Sequence, residues 1–124
     1  MSPMCQYSAV DGVVQDWHTV HLGQLAESSA GMLILEATAV EKTGRITHGC
    51  LGLYNDAQET KLTQLMTLLR NLNPRVSLPV CIQLGHAGRK ASSYRPWESG
   101  KQIPLDEGGW VAKAPSPIEH HEGE

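Results

Sequence analysis

Two short apolar runs, MLILEATAV at 32–40 and LPVCIQL at 78–84, bracket an amphipathic stretch at 56–72. The first run is apolar on both parities through Leu35, which is how a strand buried on two faces reads. Between the runs, Leu62, Leu65, Met66, Leu69 and Leu72 recur at the i, i+3, i+4, i+7 spacing of one helix face. Asp56 followed by Glu59 resembles a capping box at its start, and Asn73-Pro74 supplies the stop. A strand, a helix and a strand in that order predict a right-handed crossover with the strands parallel. An antiparallel hairpin fold is thereby excluded for this part of the chain.

The same pattern extends upstream. MSPMCQYSA at 1–9 reads as the end of a strand running into a loop, with neither the basic start nor the apolar run of a secretory signal. Asp11-Gly12 signals a turn, and Asp16 is the N-cap candidate for a helix. Trp17, Val20, His21, Gln24, Leu25 and Ser28 mark that helix's stripe, with Gly31 closing it. Residues 41–55 hold three glycines and are expected to be a long loop. From 91 to 124 no periodicity remains, and a segment rich in proline and glycine predicts a functional loop or a tail.

The predicted fold class is therefore α/β, with about three parallel strands, two helices and a long C-terminal loop. Two helices cover only one face of such a sheet, and parallel sheets are buried on both. A (β/α)8 barrel takes about 250 residues. The 124 residues read as the N-terminal portion of such a barrel, an incomplete piece of a longer chain.

Composition removes several function classes. Ten basic and 13 acidic residues give a net charge of −3 without clustering, which argues against a nucleic-acid or anionic-membrane partner. The apolar runs are far too short to span a bilayer, and a cytoplasmic location is the default expectation. Cys5, Cys50 and Cys81 are odd in number and contain no C-x-x-C pair, so reduced thiols are expected.

Four segments carry a resemblance when taken together in order: SPMCQYSA (2–9), EATAV (36–40), GRIT with GCLGL (44–53) and QLGHAGRKAS (83–92). In register they closely resemble the old yellow enzyme family of FMN-dependent NAD(P)H oxidoreductases, in the branch of the xenobiotic reductases and related NADPH dehydrogenases. Arg95-Pro96-Trp97-Glu98 and Ala114-Pro115-Ser116 resemble that branch too. The resemblance implies a TIM barrel with FMN at the carboxyl ends of its strands and residues 1–124 as a partial FMN-binding domain. It implies ene-reductase chemistry, with hydride passing from NAD(P)H through FMN to a small-molecule acceptor such as an α,β-unsaturated carbonyl.

Carried over onto matching positions, the resemblance places Pro3, Met4 and Cys5 beside the flavin ring. There the Cys5 thiol would tune the ring's electron affinity through a weak hydrogen bond. It makes Ala37 the small strand residue that lets the flavin approach, and Gln83 the amide that suits the imide edge of its pyrimidine. Tyr7 falls on the substrate side, where a phenol can hydrogen-bond a carbonyl. The candidate cofactor residues are thus Pro3, Met4, Cys5, Ala37 and Gln83, and the candidate catalytic residues are Tyr7 and Cys5. The family's substrate-binding pair, two histidines or a histidine and an asparagine, its tyrosine proton donor and its phosphate-binding loops would fall after residue 124.

Other readings compete at several positions. His18 and His21 stand one helical turn apart, yet no third ligand is placed beside them, and a packed histidine is far commoner than a metal ligand. His120, His121 and Glu122 suggest at most an adventitious metal contact, so no metal site is predicted. His86, Arg89 and Lys90 are expected to support their loop. The alternative to an enzyme is an inactive half-barrel that acts through a partner chain or a homo-oligomer completing the sheet along the bare edge of LPVCIQL.

Overall fold

A computed structural model describes residues 1–74 and 77–120. Helix α1 spans Asp16–Ala26, strand β1 Leu33–Ala39, strand β2 Leu51–Gly52, helix α2 Asp56–Leu72 and strand β3 Val80–Gly85. The three strands form one parallel sheet in the order β2-β1-β3. The α/β class and the β1–α2–β3 unit are as the apolar pattern predicts.

One strand differs from expectation. Residues 1–9 add no strand to the sheet, although Met1 lies against β1, with its carbonyl accepting from Ile34 N–H at 3.2 Å and its ammonium donating to Met32 O at 2.7 Å. The third strand is instead β2, inside the stretch expected to be loop, where Leu51 and Gly52 pair with Thr38 and Ala39. Two residues carry too little alternation to be recognised as a strand. A 3-10 turn at Lys42–Gly44 orders the same connection.

Both helix starts sit one residue earlier than read. The N-cap of α1 is Gln15 rather than Asp16, and His18 Nδ1 accepts the Gln15 N–H at 3.0 Å in the manner of a capping box. Asp16 serves in the first turn, where a carboxylate favours the helix dipole. The N-cap of α2 is Asn55, whose Oδ1 accepts the Gln58 N–H at 3.0 Å, while Gln58 Oε1 reaches back to Tyr54 N–H at 2.8 Å. The far end of α1 also differs, stopping at Ala26 with Glu27 as its cap instead of running to Gly31.

The core explains which helix faces turn inward. Leu33 and Leu35 of β1 pack against Leu22 and Ala26 of α1 and Leu65 and Leu69 of α2, with Leu62, Met66 and Ile82 at the margin. The buried face of α1 is therefore His18, Leu22 and Ala26, one position off the expected stripe, and Trp17 and Val20 are 56% and 60% exposed. A helix whose two faces differ little in polarity leaves that choice to tertiary packing. On the opposite side of the sheet, Ile34 and Ala37 are half-buried and Cys81 and Gln83 are exposed.

The segment after 90 is a packed loop up to the last described residues. Ala91, Ser92 and Ile103 are buried, Ser93 and Gln102 bridge, and Ile103 N–H donates to Ser92 O at 2.6 Å. The Asp11-Gly12 turn forms as expected, with φ of 49° and 74° and Val10 bridging Val13. No described helix is long and apolar enough to cross a membrane.

Truncating Leu35, only 2% exposed, to alanine is expected to cost about 2–5 kcal/mol of stability. Truncating the largely exposed Leu68 should cost less than about 1 kcal/mol. Urea unfolding followed by far-UV circular dichroism checks both.

Candidate functional site

The carboxyl ends of β1 and β3 bring the predicted residues together through an irregularity in their pairing. Leu35 pairs with Ile82 and Ala37 with Gln83, so the ladder skips Glu36. A bulge of this kind re-aims side chains. Here two consecutive residues, Leu35 and Glu36, are both buried, and Ala37 returns to the less covered face beside Gln83. The Gln83 side chain is exposed and makes no hydrogen bond to any described residue.

Residues 3–9 run past this pair. The Ala37 backbone and the Tyr7 hydroxyl lie close enough to the Cys5 sulfur to favour its charged form, a smaller effect than its burial. Gln6 N–H donates to Glu36 Oε2 at 3.3 Å, and Trp17 Nε1 donates to Gln6 Oε1 at 3.1 Å. Pro3 is half-buried, while Met4 is exposed. Cys5, Ala37 and Gln83 therefore form one row across the sheet end, with Tyr7 close to the Cys5 sulfur.

Tyr7 is held in the left-handed region at φ 52°, an unusual conformation for an aromatic residue. Its carbonyl accepts Arg95 Nε at 3.1 Å, and its ring meets Trp97 edge-on at 5.5 Å. Gly49 makes the close approach possible, because a β-carbon there would lie 2.2 Å from the Tyr7 carbonyl oxygen. Ala9 N–H donates to Gly49 O at 2.9 Å, closing the loop onto the segment before β2.

The electrostatics keep both candidate catalytic groups protonated at neutral pH. Burial, followed by the neighbouring Cys50 and Glu36, pushes the Cys5 thiol up from its ordinary value. Burial also raises the Tyr7 phenol, helped by Cys5 and Cys50. Cys5 is thus a neutral thiol rather than an activated nucleophile, and Tyr7 has a proton to give. Cys5, Cys50 and Cys81 are all free thiols.

The signature turn after β3 is built for support. His86 Nδ1 accepts the Gly88 N–H at 2.9 Å, and its Nε2 meets Glu41 Oε1 at 2.8 Å. Arg89 donates to Ser116 Oγ at 3.0 Å. A cavity of about 140 Å³ opens nearby, lined by Ala37, Ala39, Arg45, Cys50 and His86 among others. A larger cavity, about 690 Å³, lies instead between Arg89 and the 102–120 segment, and none of the predicted site residues lines it.

No group of three or more metal-binding side chains comes together among the described residues. His21 stacks on Trp17 at 6.4 Å, and His18 faces Glu36. His121 and Glu122 lie outside the described residues. Sequence reasoning passed over Glu36, although a carboxylate inside an otherwise apolar strand was a signal available in EATAV. It also passed over Trp110, which lies beneath the Arg45 guanidinium at 5.0 Å and meets His48 edge-on. That cluster joins residues far apart in the chain and leaves no local pattern.

Residues 1–121 match the NADH:flavin oxidoreductase / NADH oxidase family. The chain belongs to this family. An NADH:flavin oxidoreductase of Gibberella zeae is 41% identical over 99% of this chain and 30% of its own length. An NADPH dehydrogenase of Listeria monocytogenes is 40% identical over 96% of this chain and 33% of its own. Morphinone reductase superposes with a TM-score of 0.64 at 28% identity, over 73% of this chain and 23% of that one. A structure of morphinone reductase in complex with tetrahydroNAD matches equally well, over 74% of this chain.

The chain spans about a third of the length of these relatives. The fold is accordingly a portion of a TIM barrel, and the old yellow enzyme resemblance of the motifs stands. FMN is the family's cofactor and a nicotinamide its reductant. The residues present fit a flat heterocycle: an alanine with no bulk, an amide open for donation and acceptance, and a half-exposed sheet face between them.

At neutral pH Cys5 should alkylate with iodoacetamide more slowly than the exposed Cys81, because its thiol stays protonated and half-buried. Gly49→Ala should displace the Tyr7 backbone and raise the Cys5 rate by about tenfold while leaving Cys81 unchanged. Peptide mass spectrometry of the alkylated sites reads both rates.

Proposed function

We propose that this chain supplies the first flavin-facing segments of an FMN-dependent NAD(P)H oxidoreductase of the ene-reductase type. The row formed by Cys5, Ala37 and Gln83 at the sheet end is the observation that carries the reading. FMN, when bound, takes up a hydride from NAD(P)H and delivers it to an acceptor such as an α,β-unsaturated carbonyl.

The chain's own residues hold and tune. Gln83 presents a donor and an acceptor on one rigid strand, a match for the imide edge of a pyrimidine. Ala37 keeps the surface low enough for a ring to lie against the sheet. Pro3, Met4 and Cys5 line one side of the ring, and the neutral Cys5 thiol contributes a dipole rather than a charge. Tyr7 keeps its phenolic proton and offers it to an acceptor carbonyl, which raises that carbonyl's electron demand.

A second reading draws on the exposure of Cys81, Gln83 and Leu84 along β3, which stands at one side of the sheet order. An uncovered strand of that kind favours a half-barrel that works only against a partner surface completing the sheet.

The visible spectrum separates the two. On the first reading the purified chain mixed with FMN gives a protein-bound band near 450 nm, and Gln83→Leu weakens FMN binding by about tenfold, the worth of roughly one hydrogen bond to a charged or polarised group. On the second the chain stays colourless at any FMN concentration. NADPH oxidation with cyclohexenone as acceptor then tests the chemistry.

A further inference from the structure

Glu36 is the residue the β1–β3 ladder skips, and its Oε2 faces a backbone N–H and an imidazole. Gln6 N–H reaches Oε2 at 3.3 Å. From α1, His18 Nε2 lies 3.7 Å from Oε2. His18 and Glu36 are 0% and 5% exposed. His18 Nε2 and Glu36 Oε1 are both buried without a hydrogen-bond partner among the described residues. Such an arrangement is rare enough to require an explanation.

The tautomer of His18 is fixed by its surroundings. Its Nδ1 accepts the Gln15 N–H, so the neutral ring carries its proton on Nε2 and points a donor at Glu36. Burial lowers the affinity of this ring for a second proton. An oxygen faced by the Gln6 N–H and the His18 Nε2–H suits an ionised carboxylate better than a carboxylic acid, whose O–H those two groups cannot accept. The other titratable groups around Glu36 are Cys5 and Tyr7 on the 3–9 segment, Cys50 before β2 and His21 one turn along α1, and none is a lysine or arginine.

We propose that His18 and Glu36 are a positioning pair, an ionisable clasp that grips the Met4–Tyr7 loop when the carboxylate is charged and loosens it when it takes up a proton. Gln6, the residue gripped, follows Cys5 and precedes Tyr7, so the clasp sets where those two side chains stand. Its effect on a flavin rests on the function proposed above, whereas the clasp itself does not.

Burial raises the Glu36 carboxyl from 4.5 to about 7, against the pull of the Gln6 N–H and the Leu51 backbone. The folded chain therefore binds this proton more tightly than the unfolded chain. Glu36 contributes to stability at acid pH, and that contribution is lost as pH rises from the ordinary carboxylate value to about 7. Closing the clasp occurs at the expense of stability, a common trade at functional sites.

The test is a pH titration of the chain with its glutamate carboxyl carbons labelled, followed by NMR. The Glu36 carbon and the Gln6 amide proton are expected to move together with one midpoint near 7. Glu36→Gln, which keeps an acceptor and removes the charge, should abolish that shared midpoint and remove the loss of stability across it. Glu36→Leu should speed Gln6 amide exchange by about tenfold. A Glu36 carbon titrating in the ordinary carboxylate range, or a Gln6 amide that stays still while Glu36 titrates, would overturn the proposal. A chain that stays colourless with FMN while the Gln6 amide still follows Glu36 rejects the flavin reading and keeps the clasp.

Discussion

The contact of Leu33 and Leu35 with Leu22, Leu65 and Leu69 underlies everything else in the structure. It decides which side of β1 is core and so which side is left for chemistry. Side chains alternate along a strand, and once two leucines are committed to the helices their neighbours must face the other way. The skipped residue at Glu36 interrupts that alternation once, and as a result a carboxylate is buried with the leucines while Ala37 returns to the open side. Fold and site are in this sense the same arrangement seen from two faces of one strand.

The parts of the fold legible from sequence were those with a strong local period. The leucine spacing of α2 survives almost unchanged, because a wide apolar stripe leaves a helix one way to lie on a sheet. For α1, by contrast, Trp17 and Val20 compete with Leu22 and Ala26 for the buried side. Packing against β1 chose the latter pair, which no window of the sequence could have weighed. The cap of α2 moved by one residue because Asn55 and Gln58 satisfy the helix start from one position earlier than Asp56 and Glu59. Strand β2 was invisible because its two residues are defined by their partners in β1 rather than by themselves.

The candidate site was legible only through motifs. Nothing in the local pattern of Ala37 or Gln83 announces that they stand side by side, yet the register makes them direct neighbours. The raised Cys5 thiol and Tyr7 phenol depend on burial and on each other's proximity, both products of tertiary structure. His18 shows the opposite case, where a residue first considered as a metal ligand serves a helix start with one nitrogen and turns the other toward a strand carboxylate 3.7 Å away. Two-sided use of an imidazole is hard to read from spacing, because its second partner lies in a different element.

The loop after β3 and the C-terminal segment meet at a single carboxylate. Glu41 holds His86 through one oxygen and Lys113 through the other at 3.0 Å, and these contacts draw its carboxyl down to about 2. All three groups are open to solvent. Charges in that position are screened by dissolved ions, whereas the leucine core is, if anything, tightened by many of them. The molecule is thus fastened in two currencies: raising ionic strength should relax the late segment at its Glu41 junction while leaving the helix-covered side of the sheet as firm as before.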